Sequence, residues 1–298
     1  MQYAIGEGRE LVYPKPRPFG VITNIPRDMG HTAKATFSRP ALVPLAVITS
    51  STAGLMLFDQ SITDGVQGFL QRNGIKAHDL YRNVISVKMG KQQVNILRSP
   101  RNINTALYET GQGFPGLVIG AGLFTYGKIT HDYRSLSTAS QLAESFILMG
   151  VLTQALKRIT GRQSPSMATQ PGGKWQWFPS FHNYQNNTSN YDAFPSGHMA
   201  TYVSTLTVLI ENYPEKKYIR YIGYPLGGLI GLAMINNGAH WASDYPLAVG
   251  LGYLCAHEVA KFNRRLENKV AKGGRKADLN CFVSCVNGRL LPGVLYRF

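Results

Sequence analysis

Long uncharged stretches alternate with polar connectors along this chain. Six stretches predict helices, five of them uncharged; in the sixth, Ser140–Ile159, the residues Leu142, Phe146, Met149 and Leu152 recur at the spacing of one helical face. The other five stretches are Ala41–Phe58, Thr110–Gly127, Ala193–Ile210, Tyr221–Ser243 and Tyr245–His257. No repeat with a period of about 20–50 residues is visible. The pattern therefore predicts a mostly helical chain of about six helices.

The uncharged stretches leave open whether the helices enter a membrane. A spanning helix needs about 20 mainly apolar residues, and Ala41–Phe58 and Tyr221–Ile235 come nearest to this. Ser140–Ile159 instead contains Gln141 and Glu144, which favours a soluble bundle. Both interpretations remain: membrane-embedded helices, or a soluble helical bundle close to a membrane.

The two ends of the chain differ from its middle. Residues 1–40 are rich in Pro, Gly and basic residues and predict an extended N-terminal arm. Lys261–Lys276 contains seven basic residues and one acidic residue, which indicates either a solvated tail or an anchor to anionic head groups. Beyond it, two strand-like runs flank Asn287-Gly288 and predict a short C-terminal β-hairpin. The predicted domains are an arm at 1–40, a helical domain at 41–262, and a basic tail with a hairpin at 263–298.

Composition adds a strong positive charge to this picture. The 298 residues include 31 Lys+Arg and 16 Asp+Glu, a formal net charge of +15, while 44% are hydrophobic and 11% are aromatic. The aromatic content excludes a disordered chain, and three Cys are too few for a disulfide-built mini-domain. The mean hydropathy of −0.12 is low for a protein made mostly of membrane helices. The charge indicates an anionic partner: nucleic acid, an anionic lipid surface or a phosphorylated substrate.

Three short segments at predicted helix ends contain polar and ionisable residues in otherwise apolar surroundings: KRITGRQSP at 157–165, PSGH at 195–198 and GAHWASD at 238–244. Side chains that converge between helices in this way are typical of an active site. Ser196 is also explained as a helix N-cap alone. His240 and Asp244 lie four residues apart, and a carboxylate in that position fixes an imidazole tautomer, although a purely structural pair would look the same.

In this order the three segments resemble the signature of the type 2 phosphatidic acid phosphatase and vanadium haloperoxidase superfamily, which is Lys-x6-Arg-Pro, Pro-Ser-Gly-His and Ser-Arg-x5-His-x3-Asp. Pro-Ser-Gly-His and His-x3-Asp are complete, and Lys157 and Pro165 match the first motif. The resemblance covers roughly Ser140–Lys261. It implies an all-α fold, a six-helix bundle of this superfamily's kind, to which the C-terminal hairpin is added.

Both arginines of the signature are replaced in this chain. Ser164 stands at the first position, and Ala233-Met234 stand where the Ser-Arg pair belongs. A bidentate arginine is a strong phosphate ligand that neither Ser nor Met replaces. Arg162 and Lys174 are the nearest substitutes, and Arg158, Asn236 and Asn237 are further candidates. A solvated helix end explains Arg162 equally well.

The resemblance implies roles for the matching residues. His240 would attack phosphorus and form a phosphohistidine, Asp244 would hold its ring, and His198 would protonate the leaving group and then activate water. The phosphate oxygens would be held by Lys157, the Ser196 hydroxyl and the Gly197 N–H, with Arg162 and Lys174 as substitutes. The histidines are not at a metal-ligand spacing, so neither a metal nor a cofactor is expected.

The leading hypothesis is a metal-independent phosphatase that hydrolyses a phosphate monoester of a lipid or another amphiphile. The alternatives are a non-catalytic envelope protein of the same fold that binds an anionic lipid, and a vanadate-dependent peroxidase. Expected partners are a phosphorylated lipid and a membrane surface, not nucleic acid. We expect a membrane-embedded or membrane-associated envelope protein with its site on the non-cytoplasmic side, a soluble periplasmic form being the alternative. Aromatic residues in Gln163–Phe194 indicate a lid or ordinary loop packing.

Overall fold

The structure of this protein is a computed structural model, and it describes residues 1–6, 9–17, 19–77, 81–89, 92–268, 278–286 and 289–297. The helices are α1 (Gly20–Thr23), α2 (Ile25–Thr36), α3 (Leu42–Met56), α4 (Asp59–Arg72), α5 (Ile103–Gly111), α6 (Gly113–Thr130), α7 (Tyr133–Thr160), α8 (Phe181–Asn186), α9 (Gly197–Asn212), α10 (Tyr218–Asn236) and α11 (Tyr245–Phe262). The strands are β1 (Gln2–Gly6), β2 (Arg9–Val12), β3 (Tyr81–Met89), β4 (Gln92–Pro100), β5 (Arg265–Asn268), β6 (Asp278–Val286) and β7 (Arg289–Arg297).

Three helices form the centre of the molecule. α7, α9 and α11 pack against one another, α6 packs on α7, α10 packs on α9, and α3 packs on α11. These six helices correspond to the six stretches that predicted helices, so the predicted mainly helical bundle is confirmed. The core between them contains Leu148 and Met149 of α7, Met199 of α9, Ile230 of α10 and Cys255 of α11. Burial of these apolar side chains is the main stabilisation of the bundle.

Local sequence fixes where α7 begins and ends. The Asp132 carboxylate accepts a hydrogen bond from the Arg134 N–H at 3.2 Å, and so α7 starts at Tyr133 rather than at Ser140. At the other end, Gly161 adopts a left-handed φ of 51°, which a helix C-terminus favours. A Cβ at Gly161 would overlap the carbonyl oxygen of Gln176, so this turn requires glycine. The loop after α7 is thereby held against the helix end.

The extended arm predicted for residues 1–40 is wrong in its second half. α2 occupies Ile25–Thr36, and it buries Asp28 and Thr32 on one face. Because polar side chains form this buried face, a test for apolar periodicity does not detect the helix. The first half is extended but paired: β1 pairs with β2, and β2 pairs with β5 from the segment after α11. The start of the predicted basic tail is therefore a strand in a three-stranded sheet.

Two antiparallel hairpins stand outside the bundle. β6 and β7 pair from Asp278–Arg297 to Val286–Arg289, so the predicted C-terminal hairpin is confirmed. Its predicted turn, Asn287-Gly288, lies outside the described residues, as do four basic residues of the tail, Lys269, Lys272, Arg275 and Lys276. β3 and β4 form a second hairpin, which was not predicted. The predicted domain boundaries stay predictions.

Within the described ranges, no helix on its own has both the length and the apolar character needed to cross a membrane. The bent pair of Arg39–Met56 and Asp59–Arg72, which meet at 70°, satisfies both requirements when its two halves are taken together.

Candidate active site

The three polar segments meet where α7 ends and α9 begins. The Ala193 N–H donates to the Arg162 carbonyl at 3.0 Å, and the Ser196 N–H donates to the Asp244 carbonyl at 3.1 Å. These backbone hydrogen bonds join the second segment to the first and to the third. Residues far apart in sequence are therefore brought to one end of the bundle, as the sequence predicted.

His198 and His240 contact each other directly. The Nδ1 atom of His198 lies 3.2 Å from the Nε2 atom of His240, and the His240 side chain is almost completely buried. Tyr108 packs on the other side of His198, with ring centroids 5.0 Å apart. The predicted nucleophile and the predicted general acid therefore share one hydrogen bond.

The second ring nitrogen of His240 fixes its tautomer. Nδ1 lies 2.8 Å from the carbonyl oxygen of Ala193, and a carbonyl oxygen only accepts, so the proton is on Nδ1. In the neutral ring, Nε2 then carries the lone pair, and His198 must donate from its Nδ1. The carboxylate of Asp244 lies 3.6 Å from the same Nδ1, beyond hydrogen-bond distance. The prediction that Asp244 holds this ring is corrected: the Ala193 carbonyl accepts the proton, and Asp244 supplies a nearby charge.

Arg162 is buried among acidic and carbonyl oxygens and does not face the histidines. It donates to Asp59 at 2.6 Å, to Asp244 at 2.5 Å, to the Ser243 hydroxyl at 2.7 Å, and twice to the Gly172 carbonyl, at 2.8 and 3.2 Å. All five N–H donors of the guanidinium are thus used. Arg162 is therefore not available as a substitute phosphate ligand, because its donors are satisfied inside the protein.

Asp59, the first residue of α4, is a member of the site that sequence reasoning missed. It is fully buried, and it accepts from the Ser243 N–H at 3.0 Å and from the Ser243 hydroxyl at 2.5 Å, in addition to Arg162. One cation thus joins two carboxylates, which hold the turn that follows His240. The only sequence signal is that Asp59 is the first charge after the uncharged stretch Ala41–Phe58.

Lys157 reaches the start of α9. Its ammonium lies 3.5 Å from the Asp192 carboxylate, and a Cβ at Gly197 would be 3.6 Å from the same nitrogen. The first turn of a helix has N–H groups without intrahelical partners. Lys157 and the Gly197 N–H are thus adjacent, as predicted, and Asp192 is a partner that the sequence did not indicate.

The Ser196 hydroxyl is engaged within the protein. It accepts from the Met199 N–H at 3.2 Å as the N-cap of α9 and contacts the sulfur of Met234 at 3.8 Å. Met234 stands at the position of the missing arginine of the third motif and is fully buried beside Ser196. The helix-cap interpretation of Ser196 is therefore correct, and a phosphate would have to displace one of these contacts.

The other substitute cations and amides do not face the histidines. Lys174 is exposed, and within the described ranges its side chain makes no hydrogen bond or ion pair, whereas its backbone pairs with Gln163. Ser164, at the position of the other missing arginine, bonds to the Ser189 carbonyl at 2.9 Å. Asn236 and Asn237 bond to Asn104 at 2.9 and 2.6 Å. Arg158 instead stacks on Tyr184 at 3.8 Å.

Burial is the largest cause of the pKa shifts of His198, His240 and Asp244. Burial and then the charges of His240 and Lys157 lower the pKa of His198 to about 3. Burial and then Lys157 lower the pKa of His240 to about 3 as well. Burial raises the pKa of Asp244 to about 6, against Arg162 and the Trp241 N–H, which lower it. Both histidines are therefore neutral near pH 7, as a nitrogen nucleophile requires.

The aromatic loop between the first two motifs is partly packed and partly exposed. Trp175 stacks over Arg162 and contacts Phe194, whereas Trp177, Phe178 and Phe181 expose most of their side chains. Phe178 has a left-handed φ of 53°, a strained conformation for a bulky residue. The loop thus presents three aromatic rings to the outside near the end of α7.

The described part of the chain has no group of three His, Cys, Asp or Glu side chains arranged to hold a metal ion. The expectation that neither a metal nor a cofactor takes part stays a prediction.

Part of the chain is similar to a known protein family. Residues 138–267 match the family model of the PAP2 superfamily. The chain is similar to a solved structure described as the first transmembrane PAP2 type phosphatidylglycerolphosphate phosphatase from Bacillus subtilis, with 16% identity, 82% of this chain and 96% of that chain covered, and a TM-score of 0.32. No curated protein matches the chain. The matched range includes Lys157, His198 and His240.

Proposed function

We propose that this protein hydrolyses a phosphate monoester through a phosphohistidine on Nε2 of His240. The match of residues 138–267 to the PAP2 superfamily model supports a phosphatase-type function in general. The observation that carries the finer proposal is the tautomer of His240: Nδ1–H is held by the Ala193 carbonyl at 2.8 Å, and the Nε2 lone pair points at His198. A neutral imidazole in this orientation is a ready nucleophile.

Substrate would bind by separating the two histidines. The phosphate would enter between His198 Nδ1 and His240 Nε2, which now lie 3.2 Å apart. Lys157 and the Gly197 N–H are the donors for its non-bridging oxygens, and the N-terminus of the 16-residue helix α9 favours negative charge there. The bound anion would raise the pKa of His198, because an opposite charge favours the protonated ring.

The reaction proceeds in two steps. First, once the bound anion has favoured protonation of both ring nitrogens of His198, His240 Nε2 forms a bond to phosphorus while the bond from phosphorus to the ester oxygen breaks. His198 gives one of its two ring protons to the leaving alcohol and becomes neutral. Second, His198 takes a proton from water, the water oxygen bonds to phosphorus, and the nitrogen–phosphorus bond breaks to release phosphate. Asp244 and Ala193 stabilise the positive charge on the His240 ring.

A lipid or another amphiphile is the proposed substrate class. The exposed rings of Trp177, Phe178 and Phe181 offer an apolar surface close to the site. Exposed apolar side chains on α6 and α10, such as Leu117 and Tyr221, support contact with a membrane surface. The position in the cell envelope and the non-cytoplasmic side of the site rest on the family resemblance alone.

Phosphate release from lipid and soluble phosphomonoesters tests the proposal. We expect His240→Ala to lose at least about 10³-fold in turnover, since a nucleophile is removed. The wild type should form an acid-labile, base-stable phosphoenzyme during turnover of a substrate labelled with ³²P, and the variant should not. His182→Ala, which removes an exposed histidine of α8, is the matched control and should retain activity. Full activity of His240→Ala would overturn the nucleophile assignment.

A second candidate function is lipid binding without catalysis. The observation that favours it is the fate of the cations: Met234 and Ser164 replace both motif arginines, and Arg162 is fully engaged by Asp59, Asp244 and backbone. The same assay decides between the two. Release of phosphate from no phosphoester, with lipid binding retained, would favour the non-catalytic protein.

A further inference from the structure

A wide apolar groove runs between α6 and α7, and its end at Lys128 is far from the histidines. Its volume is about 930 Å³, close to the upper end of the roughly 300–1,000 Å³ of sites that bury small ligands. Small residues contribute to the width of the groove: Gly120 and Ala121 on α6, and Ala139 and Ala143 on α7. We call this feature the α6–α7 groove.

The α6–α7 groove is apolar along its length and open to the outside. Leu142 is buried at its floor, whereas Leu117 and Phe124 on its wall are more than half exposed. From Gly116 to Lys128 the groove follows twelve residues of helix, or about 18 Å, which suits an extended acyl chain. A groove of this shape favours a long apolar ligand over a compact one.

Three cations line the α6–α7 groove. Lys128 lies in the last turn of α6, and its ammonium is 5.5 Å from the centroid of the Phe124 ring. Lys15 and Arg17 come from the segment before α1, and the Arg17 carbonyl accepts from the Gly20 N–H at 3.1 Å. No acidic side chain is among the described residues that line the groove. Its charge therefore complements an anionic head group.

We propose that the α6–α7 groove binds an anionic phospholipid, with an acyl chain along Gly120 and Ala121 and the phosphate at Lys15, Arg17 and Lys128. Charge complementarity and the apolar lining both carry this assignment. A free phosphate would leave the apolar part unused, and a neutral lipid would leave the three cations unpaired.

This lipid site is separate from the proposed active site. Leu136, which lines the groove near its cationic end, and Lys157 lie on the same helix, 21 residues or about 31 Å apart. A phosphate held by Lys128 is therefore out of reach of His240. The bound lipid is a structural or regulatory ligand, and the inference stands whether or not the histidines hydrolyse phosphate.

Lipid titration followed by native mass spectrometry tests the proposal on the full chain in a mild detergent. The probes are dioleoyl phosphatidylglycerol, which is anionic, and dioleoyl phosphatidylcholine, which is zwitterionic. Each basic residue near an anionic head contributes about five-fold in affinity, so we expect Lys15→Gln/Arg17→Gln/Lys128→Gln to lose roughly 100-fold for phosphatidylglycerol. The same variant should change phosphatidylcholine binding little.

A matched triple variant controls for overall charge. Lys216→Gln/Lys217→Gln/Arg220→Gln removes three exposed cations elsewhere and should change phosphatidylglycerol affinity less than about three-fold. Equal losses in the two triple variants would overturn the proposal, because the attraction would then be unspecific. Complete displacement of phosphatidylglycerol by millimolar inorganic phosphate would also overturn it, since the site would then bind the anion alone.

Filling the groove tests the acyl-chain part. A Cβ at Gly120 has an ordinary contact of 3.7 Å with Leu142, so a larger side chain there enters the groove. Gly120→Phe should reduce binding of both lipids at least about ten-fold, and Ala121→Trp provides a second filling variant should the first not fold. Unchanged phosphatidylglycerol binding in a folded filling variant would overturn the proposed position of the chain.

Discussion

Two regions along α7 are built in opposite ways. At its C-terminal end, buried polar groups hold one another: Arg162 uses five donors, and His240 uses both ring nitrogens. Toward its N-terminal end, the side that faces α6 borders an open apolar groove edged by cations, while polar residues such as Gln141 are buried on another side. One helix therefore supports a preorganised polar site at one end and an accommodating surface on one side of the other end.

This difference shows what each end tolerates. A buried charge network is costly to disturb, because each removed partner leaves another group unpaired in a low dielectric. An open apolar groove has few buried polar groups that need partners, so substitutions in it mainly change the affinity for its ligand.

Removing the central cation should have the largest effect on stability. Arg162→Met leaves Asp59 and Asp244 buried without their cation, and we expect a loss of about 3–5 kcal/mol in the free energy of unfolding. Urea denaturation measures the loss. Arg158→Met is the control: it removes a cation that stacks on Tyr184, which contributes about 1 kcal/mol. Equal losses in the two variants would show that the buried ion pairs of Arg162 contribute no more to stability than the stacking of Arg158 does.

Gly161 should tolerate no side chain. Gly161→Ala places a Cβ against the Gln176 carbonyl in a left-handed conformation, and we expect a loss of about 2 kcal/mol or more in thermal or chemical unfolding. Gly172 also has a positive φ, of 74°, but open space around its Cβ position, so Gly172→Ala isolates the conformational cost of about 1 kcal/mol. If the two variants lose the same amount, the overlap with Gln176 is relieved at no cost.

The two histidines near the C-terminal end of α7 should make the free energy of unfolding depend on pH. His198 and His240 have a folded pKa of about 3, below the ordinary 6.5, so the unfolded chain binds more protons as the pH falls below 6.5. The two buried neutral rings therefore contribute to the free energy of unfolding above pH 6.5, and this contribution is lost as the pH falls below 6.5. Asp244, with its pKa raised to about 6, offsets part of the loss. We expect a net loss of roughly 2 kcal/mol between pH 7 and pH 5.

Urea denaturation across this pH range measures the slope. The double variant His198→Gln/His240→Asn removes both titrating rings, so its stability should change much less from pH 7 to pH 5. The groove end has no histidine among the described residues that line it and adds nothing to this slope. An unchanged slope in the double variant would mean that other groups cause the acid sensitivity.

The smallest effect should have the opposite sign. Gly122 lies within α6 near the groove end, and a Cβ there would meet nothing within 4 Å. Gly122→Ala should stabilise the protein by up to about 1 kcal/mol, because alanine loses less backbone entropy in a helix. Thermal unfolding measures the gain. A loss of stability would show that the groove end is packed more tightly than its open shape indicates.

Sequence reasoning selected the residues that meet in the candidate site better than it selected their hydrogen-bond partners. The motifs selected His198, His240 and Lys157, because histidine and lysine are recognisable as residue types at a given spacing. The acceptor for the His240 ring is a backbone carbonyl, of Ala193, which any residue type would supply. Asp59 was missed because its partners lie 103 and 184 residues further along the chain, where no local pattern reaches.

For the fold, too, features set by local sequence patterns were predicted well and contacts between distant segments were not. Apolar stretches of helical length predicted the six bundle helices, since each buries an apolar face. α2 was missed because its buried face is polar, with Asp28 and Thr32. In the sheet of β1, β2 and β5, the first two strands precede the bundle helices in sequence and the third follows them. Such pairing depends on which distant segments meet in space, and no local sequence pattern shows this.

The engagement of Arg162 by Asp59 limits how this protein can be divided or recombined. The matched range 138–267 contains Arg162, Ser243 and Asp244 but not Asp59. A chimera that transplants only this range into another scaffold would carry a guanidinium with one counterion missing. Asp59 and Arg162 must therefore be kept together, and a graft must include α4 or provide another carboxylate at the position of Asp59.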